Sequence, residues 1–266
     1  MKLLAIGIAA SLCVTAIAHD PLSFDEISDA FWPDRESTEI ETQEVAPGLH
    51  VFFGVGGNVA VSIGDNGVLI VDDQFPRMAP KIRTAIDKLG GGAVDFIVNS
   101  HWHFDHADGN PSFGKDGTWI VSQANSRRMM TGSHLIDLVT VSYDQPPYPP
   151  AGLPVITYDD RMQFHFNGQR IDLLHPGPAH TTGDTAVIFR GSNAVHLGDV
   201  YNNTGYPFID AGNGGEIKGM IAFCQAVLDE LDESSTIIPG HGPVASYGEL
   251  VAYVHMLATI RDRISA

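Results

Sequence analysis

A chain of 266 residues, 44% hydrophobic and 18% charged, has an ordinary globular composition and enough length for one large domain with a substantial core. Its charge is less ordinary: 15 Lys and Arg against 32 Asp and Glu give a formal net charge of −17 and a sequence pI of about 4.8. Such a surface repels polyphosphate, which excludes a nucleic-acid groove and favours a small-molecule substrate as partner.

In chain order, the first residues read as an address. Lys2 supplies a positive start, positions 3–14 are mostly apolar, and Ala16-Ile17-Ala18 is a small-x-small cleavage site. Residues 1–18 are therefore expected to be a signal peptide and residues 19–266 a single domain, periplasmic or secreted and free of the membrane. Cys13 leaves with the signal, so Cys224 is the one cysteine of the mature chain and no internal disulfide can form. Its helical spacing with Ile217, Met220, Ile221, Val227 and Leu228 marks it as a buried thiol without chemistry.

Residues 20–43 are acidic and weakly periodic, and read as an arm laid across the body with Phe31, Trp32 and Pro33 as its anchor. Positions 49–55 and 59–63 predict a hairpin around Gly56-Gly57-Asn58, and 67–71 a third strand ending in Asp72-Asp73. Met78, Ile82, Ala85, Ile86 and Leu89 have helical spacing, stopped by Gly90-Gly91-Gly92 before a β-branched strand at 94–98. Beyond position 106 the pattern predicts a strand at 118–122, helices at 123–130 and 134–141, a stiff proline loop at 146–150, and strands at 161–174 and 185–195. Ser246 with Glu249 forms a capping box for a last helix carrying Leu250, Val251, Val254 and Leu257 on one face. Two sheets, each covered by helices on its outer side, make an α/β four-layer αββα sandwich.

Strand 94–98 runs into His101-Trp102-His103-Phe104-Asp105-His106, where four metal-capable side chains fall within six positions. In an extended turn, His101 and His103 face one ion while Asp105 and His106 turn towards a second. His180, Asp199 and His241 each follow an apolar run and lie near glycine, as ligands delivered by strand ends to a common rim. His50, His134, His165, His175, His196 and His255 lack that setting and read as structural or surface residues.

These motifs, in this order, resemble the metallo-β-lactamase superfamily, with its H-x-H-x-D-H sequence and later His, Asp and His. The resemblance implies the αββα sandwich and two metal positions: His101, His103 and His180 for one, Asp105, His106 and His241 for the other, with Asp199 bridging. It also implies that Asp72 supports the histidine loop from behind; read from the residues alone, Asp72 is equally a turn residue. Two divalent cations with a hydroxide between them suit attack on the carbonyl of a small ester, lactone, thioester or lactam, with Asp105 as the catalytic group that orients the nucleophile and moves its proton.

Imidazole and carboxylate donors without thiolate suit two Zn²⁺, and also admit iron or manganese. Tyr201, Asn203 and Tyr206 are candidate substrate-binding residues. The hairpin at 54–58, the prolines at 146–154 and the loop 201–208 are expected to form the pocket walls. Many zinc β-lactamases that the chain resembles carry cysteine where Asp199 stands and lysine where Asn202 stands; both departures count against a true β-lactamase, which stays an alternative because the core chemistry is the same. A non-catalytic metal-binding protein and an iron-dependent oxygenase of the superfamily are others.

Overall fold

The computed structural model describes residues 20–33, 37–138 and 140–265, so the expected signal peptide lies outside the described residues. Helix α1 (Phe24–Phe31) opens the described chain, followed by strands β1 (Glu41–Ala46), β2 (Leu49–Phe53), β3 (Val59–Gly64) and β4 (Gly67–Val71). Helix α2 (Ala79–Lys88) crosses to β5 (Val94–Val98), and two short helices, α3 (Phe104–Ala107) and α4 (Asn110–Gly114), lead to β6 (Trp119–Gln123) and α5 (Ala124–Met130). A separate two-stranded hairpin, β7 (His134–Asp137) with β8 (Ser142–Gln145), precedes β9 (Ile156–Tyr158).

The second half runs β10 (Arg161–Phe166), β11 (Gln169–Leu174), β12 (Ala186–Phe189) and β13 (Ala194–His196), then α6 (Ile217–Leu228), β14 (Thr236–Ile238), β15 (Ala245–Ser246) and α7 (Tyr247–Ser265). One sheet has the order β1-β2-β3-β4-β5-β6-β9 and the other β10-β11-β12-β13-β14-β15.

The layers follow from which side chains each strand turns inwards. Leu49, Val51, Leu69, Val71, Val98 and Val121 of the first sheet meet Ile171, Leu173, Val187, Phe189 and Ile238 of the second in a core between the sheets. On the outer face of the first sheet, Val61, Ile70 and Ile97 pack against Ile27 of α1 and Met78, Ile82 and Ile86 at α2. On the outer face of the second, Ile188, Val195 and Ile237 meet Met220, Phe223 and Cys224 of α6 and Leu250 and Leu257 of α7. Helix, sheet, sheet and helix therefore stack in four layers, and Cys224 is a buried thiol as its spacing predicts. The described residues contain no helix long and apolar enough to cross a membrane.

Within the sheets, β4, β5 and β6 run parallel, as do β13 and β14, so their carboxyl ends share edges from which loops reach outward. Of the stretch 134–141, expected as helix, residues 134–137 form strand β7, paired with β8. Ile136 is buried while Leu135 is 51% exposed, the alternation of a strand rather than a helical face. The arm also differs in detail: residues 41–46 form edge strand β1, and α1 buries Ile27 fully while Phe31 stays 48% exposed.

Candidate metal centre

Asp72 follows the end of β4 in the left-handed backbone region, with φ of 66°. A non-glycine residue is strained there, and its backbone N–H is held by the Val98 carbonyl at 3.0 Å. The carboxylate so placed receives the Ser100 backbone N–H at 2.7 Å and the Ser100 hydroxyl at 2.6 Å, and its Oδ2 stands 2.8 Å from His106 Nδ1. Because the Ser100 hydroxyl donates to Asp72, its oxygen is left to accept from His101 Nδ1, 3.0 Å away. Asp72 thus fixes two rings at once, His106 directly and His101 through Ser100.

The motif itself is extended only as far as His103; from Phe104 it turns into α3, which swings Asp105 and His106 away from the direction of the first two histidines. His103 Nε2 bonds Asp210 Oδ2 at 2.9 Å, leaving Nδ1 to face His180 Nε2 at 3.0 Å. His180 is delivered by a loop closed on Asp184, whose carboxylate takes the backbone N–H of Ala179 and of Thr181 and the Thr181 hydroxyl. The Phe208 carbonyl holds His180 Nδ1 at 2.9 Å. In each ring one nitrogen is tied outward and the other points to a common centre, the arrangement by which ligating imidazoles are held in one tautomer.

Asp199 stands between the two sets. Its Oδ1 is 3.1 Å from His106 Nε2 and 3.4 Å from His241 Nε2, while its Oδ2 is 3.8 Å from His180 Nε2. His241 Nε2 also lies 3.1 Å from Asp105 Oδ2 and 3.2 Å from His106 Nε2. Two glycines allow this crowding: a Cβ on Gly240 would strike Asp199 Oδ1, and one on Gly57 would strike the His106 ring.

Electrostatics separate the two halves of the cluster. Burial, reinforced by the neighbouring imidazoles, pushes His101 well below the ordinary histidine range and His180 below it, so both are neutral and offer lone pairs. Burial works in the same direction on His241, but the charges of Asp199 and Asp105 outweigh it and raise this ring to about 10. His106 is raised well above its usual value in the same way. Burial would raise Asp199, yet His241 and His106 hold it well below the carboxylate range. Positive charge is therefore favoured where the two carboxylates meet these two rings.

The residues fit divalent cations. His101 Nε2 is buried with no hydrogen-bond partner. Ligand atoms of His101, His103 and His180, of His101, His106 and Asp199, and of Asp105, His106 and His241 all lie within 4.8 Å of one another in each group. All seven side chains singled out in the sequence are thus brought together.

The substrate-binding expectations fare differently. A cavity of about 420 Å³ opens beside His103, Asp105, Asp199 and His241, and neither Tyr201, Asn203 nor Tyr206 lines it. Tyr201 is buried against Tyr253 of α7, Asn203 donates its side-chain N–H to the Pro243 carbonyl, and Tyr206 is 79% exposed. The same loop contributes Asn202, Thr204 and Phe208 instead.

The hairpin tip and the prolines, expected as walls, are also absent from the lining. The tip is a clasp: Gly57 N–H binds the Asp105 carbonyl, and the Asn58 side chain binds the carbonyls of Pro239 and Gly242 on either side of His241. In the proline stretch Tyr148 hydrogen-bonds the Trp102 carbonyl behind the motif. The remaining walls are Phe31 and Trp32 of the arm and Ile136 and Leu138 of the β7–β8 hairpin. Asp210 and Ser100 were not foreseen either; only Ser100's place beside the motif offered a signal.

The profile of the family described as the metallo-beta-lactamase superfamily matches residues 54–241. The 2,4-dinitroanisole O-demethylase subunit alpha of Nocardioides sp. (strain JS1661) is 26% identical over 155 residues, which are 55% of this chain and 41% of that protein, so less than half of that relative is matched. Among solved structures, a metallo-beta-lactamase from Pontibacter korlensis is similar with a TM-score of 0.68 at 15% identity, covering 83% of this chain and 99% of that one. The DIM-1 metallo-beta-lactamase gives a TM-score of 0.67 at 18% identity, over 84% and 98% of the two chains. At such identities the likeness is one of fold. With the profile spanning most of the sequence and the histidine motif inside it, the chain belongs to the metallo-beta-lactamase superfamily.

Proposed function

We propose that this chain is an exported metal-dependent hydrolase that attacks the carbonyl of a small ester, lactone, thioester or lactam. The observation that carries this reading is the convergence of seven imidazole and carboxylate side chains on one centre, four of which, His103, Asp105, Asp199 and His241, line a cavity of about 420 Å³, within the usual size range of small-molecule sites. Two divalent cations there, zinc by the donor set with iron or manganese compatible, would act as Lewis acids on a carbonyl oxygen and bring the pKa of a water to about 7.

His101, His103 and His180 would hold one cation and Asp105, His106 and His241 the other. Asp199 turns one oxygen towards each set. Asp105 lines the cavity, where its carboxylate orients the attacking water, takes its proton and returns it to the leaving group. Asp72 and Asp210 keep the ligand rings in their working tautomers.

The β-lactamase reading is weakened at Asn202. It occupies the cavity wall, but its side-chain oxygen accepts from the Thr204 N–H at 2.9 Å and hydroxyl at 2.6 Å, and it brings no charge for a drug carboxylate. A second reading comes from the relative named for 2,4-dinitroanisole: water-dependent cleavage of an activated aryl methyl ether to a phenol and methanol.

Metal analysis of purified protein, followed by a panel of esters, lactones, thioesters, β-lactams and a dinitroaryl methyl ether, tests both. Chelation is expected to abolish turnover and zinc to restore it. Asp199→Ala should fill the first site, load the second poorly, and lose turnover by orders of magnitude. Bound metal with no metal-dependent turnover anywhere in the panel would instead identify a metal-binding protein.

A further inference from the structure

The walls of the cavity other than the ligand residues are unusual in composition. Phe31, Trp32, Phe104, Ile136, Leu138 and Phe208 line it, with Asn202 and Thr204 as the polar exceptions. No described lysine or arginine is among the lining residues, although the ligands themselves bring the carboxylates of Asp105 and Asp199. A substrate carboxylate placed along these walls, away from the ligand residues, meets no lysine or arginine and loses water, which is costly. An uncharged apolar group placed there gains from burial.

These walls are held in place. The arm joins β8 where Leu22 N–H binds the Ser142 carbonyl at 2.7 Å, and α1 starts from a capping box in which Ser23 and Glu26 bond each other. Trp32 N–H closes the helix on the Ser28 carbonyl at 2.8 Å. The Trp32 ring meets Phe75 edge-on at 5.1 Å and Phe104 at 6.2 Å, and Phe104 stands between His103 and Asp105 in the sequence. Across the cavity, Phe208 lies 5.6 Å from the His180 ring and 6.2 Å from His103. An apolar group resting against Phe208 is therefore beside the ligand histidines. Phe31, at the end of α1, is 48% exposed, packs on Trp32 at 5.8 Å between ring centroids and offers its free face to the cavity.

Resting on the hydrolase reading above, we propose that the substrate carries an uncharged aromatic or branched apolar group, seated between the arm and the β7–β8 hairpin, with Trp32 as the specificity-determining wall.

The experiment uses zinc-loaded protein and two sets of probes. Inert amides, phenylacetamide and its 4-carboxy derivative, report binding by calorimetry. Nitrophenyl esters of acetate, benzoate, phenylacetate and succinate report turnover. The neutral amide should bind at least tenfold tighter than the carboxylate, and Trp32→Ala should weaken it by roughly 10- to 100-fold, the range expected for a lost apolar contact. The preference in kcat/KM for aromatic over acetyl and succinyl esters should collapse in Trp32→Ala and return in Trp32→Phe. Equal binding of neutral and charged amides, or binding and ester preference unmoved by Trp32→Ala, would overturn the proposal. Selective, Trp32-dependent binding without turnover of these esters or of the lactones, thioesters and β-lactams of the panel above would uphold the apolar seat and overturn the hydrolase reading; turnover without preference would do the reverse.

Discussion

At the scale of single residues, Asp72 governs more of the centre than its place outside the ligand set suggests. Its two oxygens serve the Ser100 backbone, the Ser100 hydroxyl and His106, so its removal frees His106 to rotate and releases the Ser100 oxygen from its role towards His101. Loss of such outer partners typically lowers metal affinity about 10- to 100-fold. Zinc titration of Asp72→Ala should show a loss of that order at both positions, since one ring belongs to each; undiminished affinity at either would show that its ring is oriented by something else. Cys224 offers a contrasting residue. Burial raises its thiol to about 12, so it stays neutral and enclosed at neutral pH. An acid whose folded pKa is raised adds stability below its unfolded value and loses it as pH climbs towards the folded value, here between about 9 and 12. Alkylation of the native protein by iodoacetamide should be slow at pH 8 and become fast only in denaturant; rapid native labelling would contradict the burial.

At the scale of elements, the two capping boxes do different amounts for their helices. At α7, Ser246 and Glu249 exchange hydrogen bonds, but the helix also buries Leu250, Tyr253 and Leu257. Apolar anchoring outweighs the cap, so Ser246→Ala should cost only about 0.5 to 2 kcal/mol, read as a lower chemical-denaturation midpoint with the slope unchanged. A changed slope would mean that the helix had detached. Helix α1 has eight residues, too few to persist by itself, and rests on Ile27 and on the cap. Where burial imposed a period, the elements were readable in advance: β4 and β5 lie as expected, and α2 and α6 fall on their spaced apolar residues. The β7–β8 hairpin was not readable, because four-residue strands show too few alternations to separate a strand from a helical turn. Edge strand β1 exposes its first four residues and so carries no inward pattern. In the centre, the candidate ligands could be picked out from the histidine motif and the later His, Asp and His that resemble a family pattern, and the structure brings them together, whereas Asp210 acts on a histidine 107 positions away and no local spacing announces it. The pocket walls failed for the same reason: which face of residues 201–208 turns inward is settled by packing, Tyr201 being claimed by Tyr253.

At the scale of the whole molecule, the ligands come from both halves of the sandwich. His101 to His106 leave the end of β5 in the first sheet; His180 precedes β12, Asp199 follows β13 and His241 follows β14 in the second. Between the sheets lies a continuous apolar core, and at its rim the clasp of Asn58 on Pro239 and Gly242 ties the first sheet to the His241 loop. Cations at the centre would add bonds across the same seam, at the point where the carboxylates of Asp105 and Asp199 meet the rings of His106 and His241. Because the unfolded chain cannot assemble ligands so far apart in sequence, binding stabilises the folded state by RT ln(1 + [L]/Kd), about 4.1 kcal/mol at 1,000-fold excess over Kd. For a chain of this size each kcal/mol moves the melting temperature by roughly 2–4 °C, which converts to a shift of roughly 8–16 °C. Thermal melts in chelator and in excess zinc should differ by that amount, with the two halves unfolding in a single transition in zinc. A shift of less than about 2 °C under saturating zinc would mean that the ions do not join the halves, and that the sheet-to-sheet core alone sets the stability.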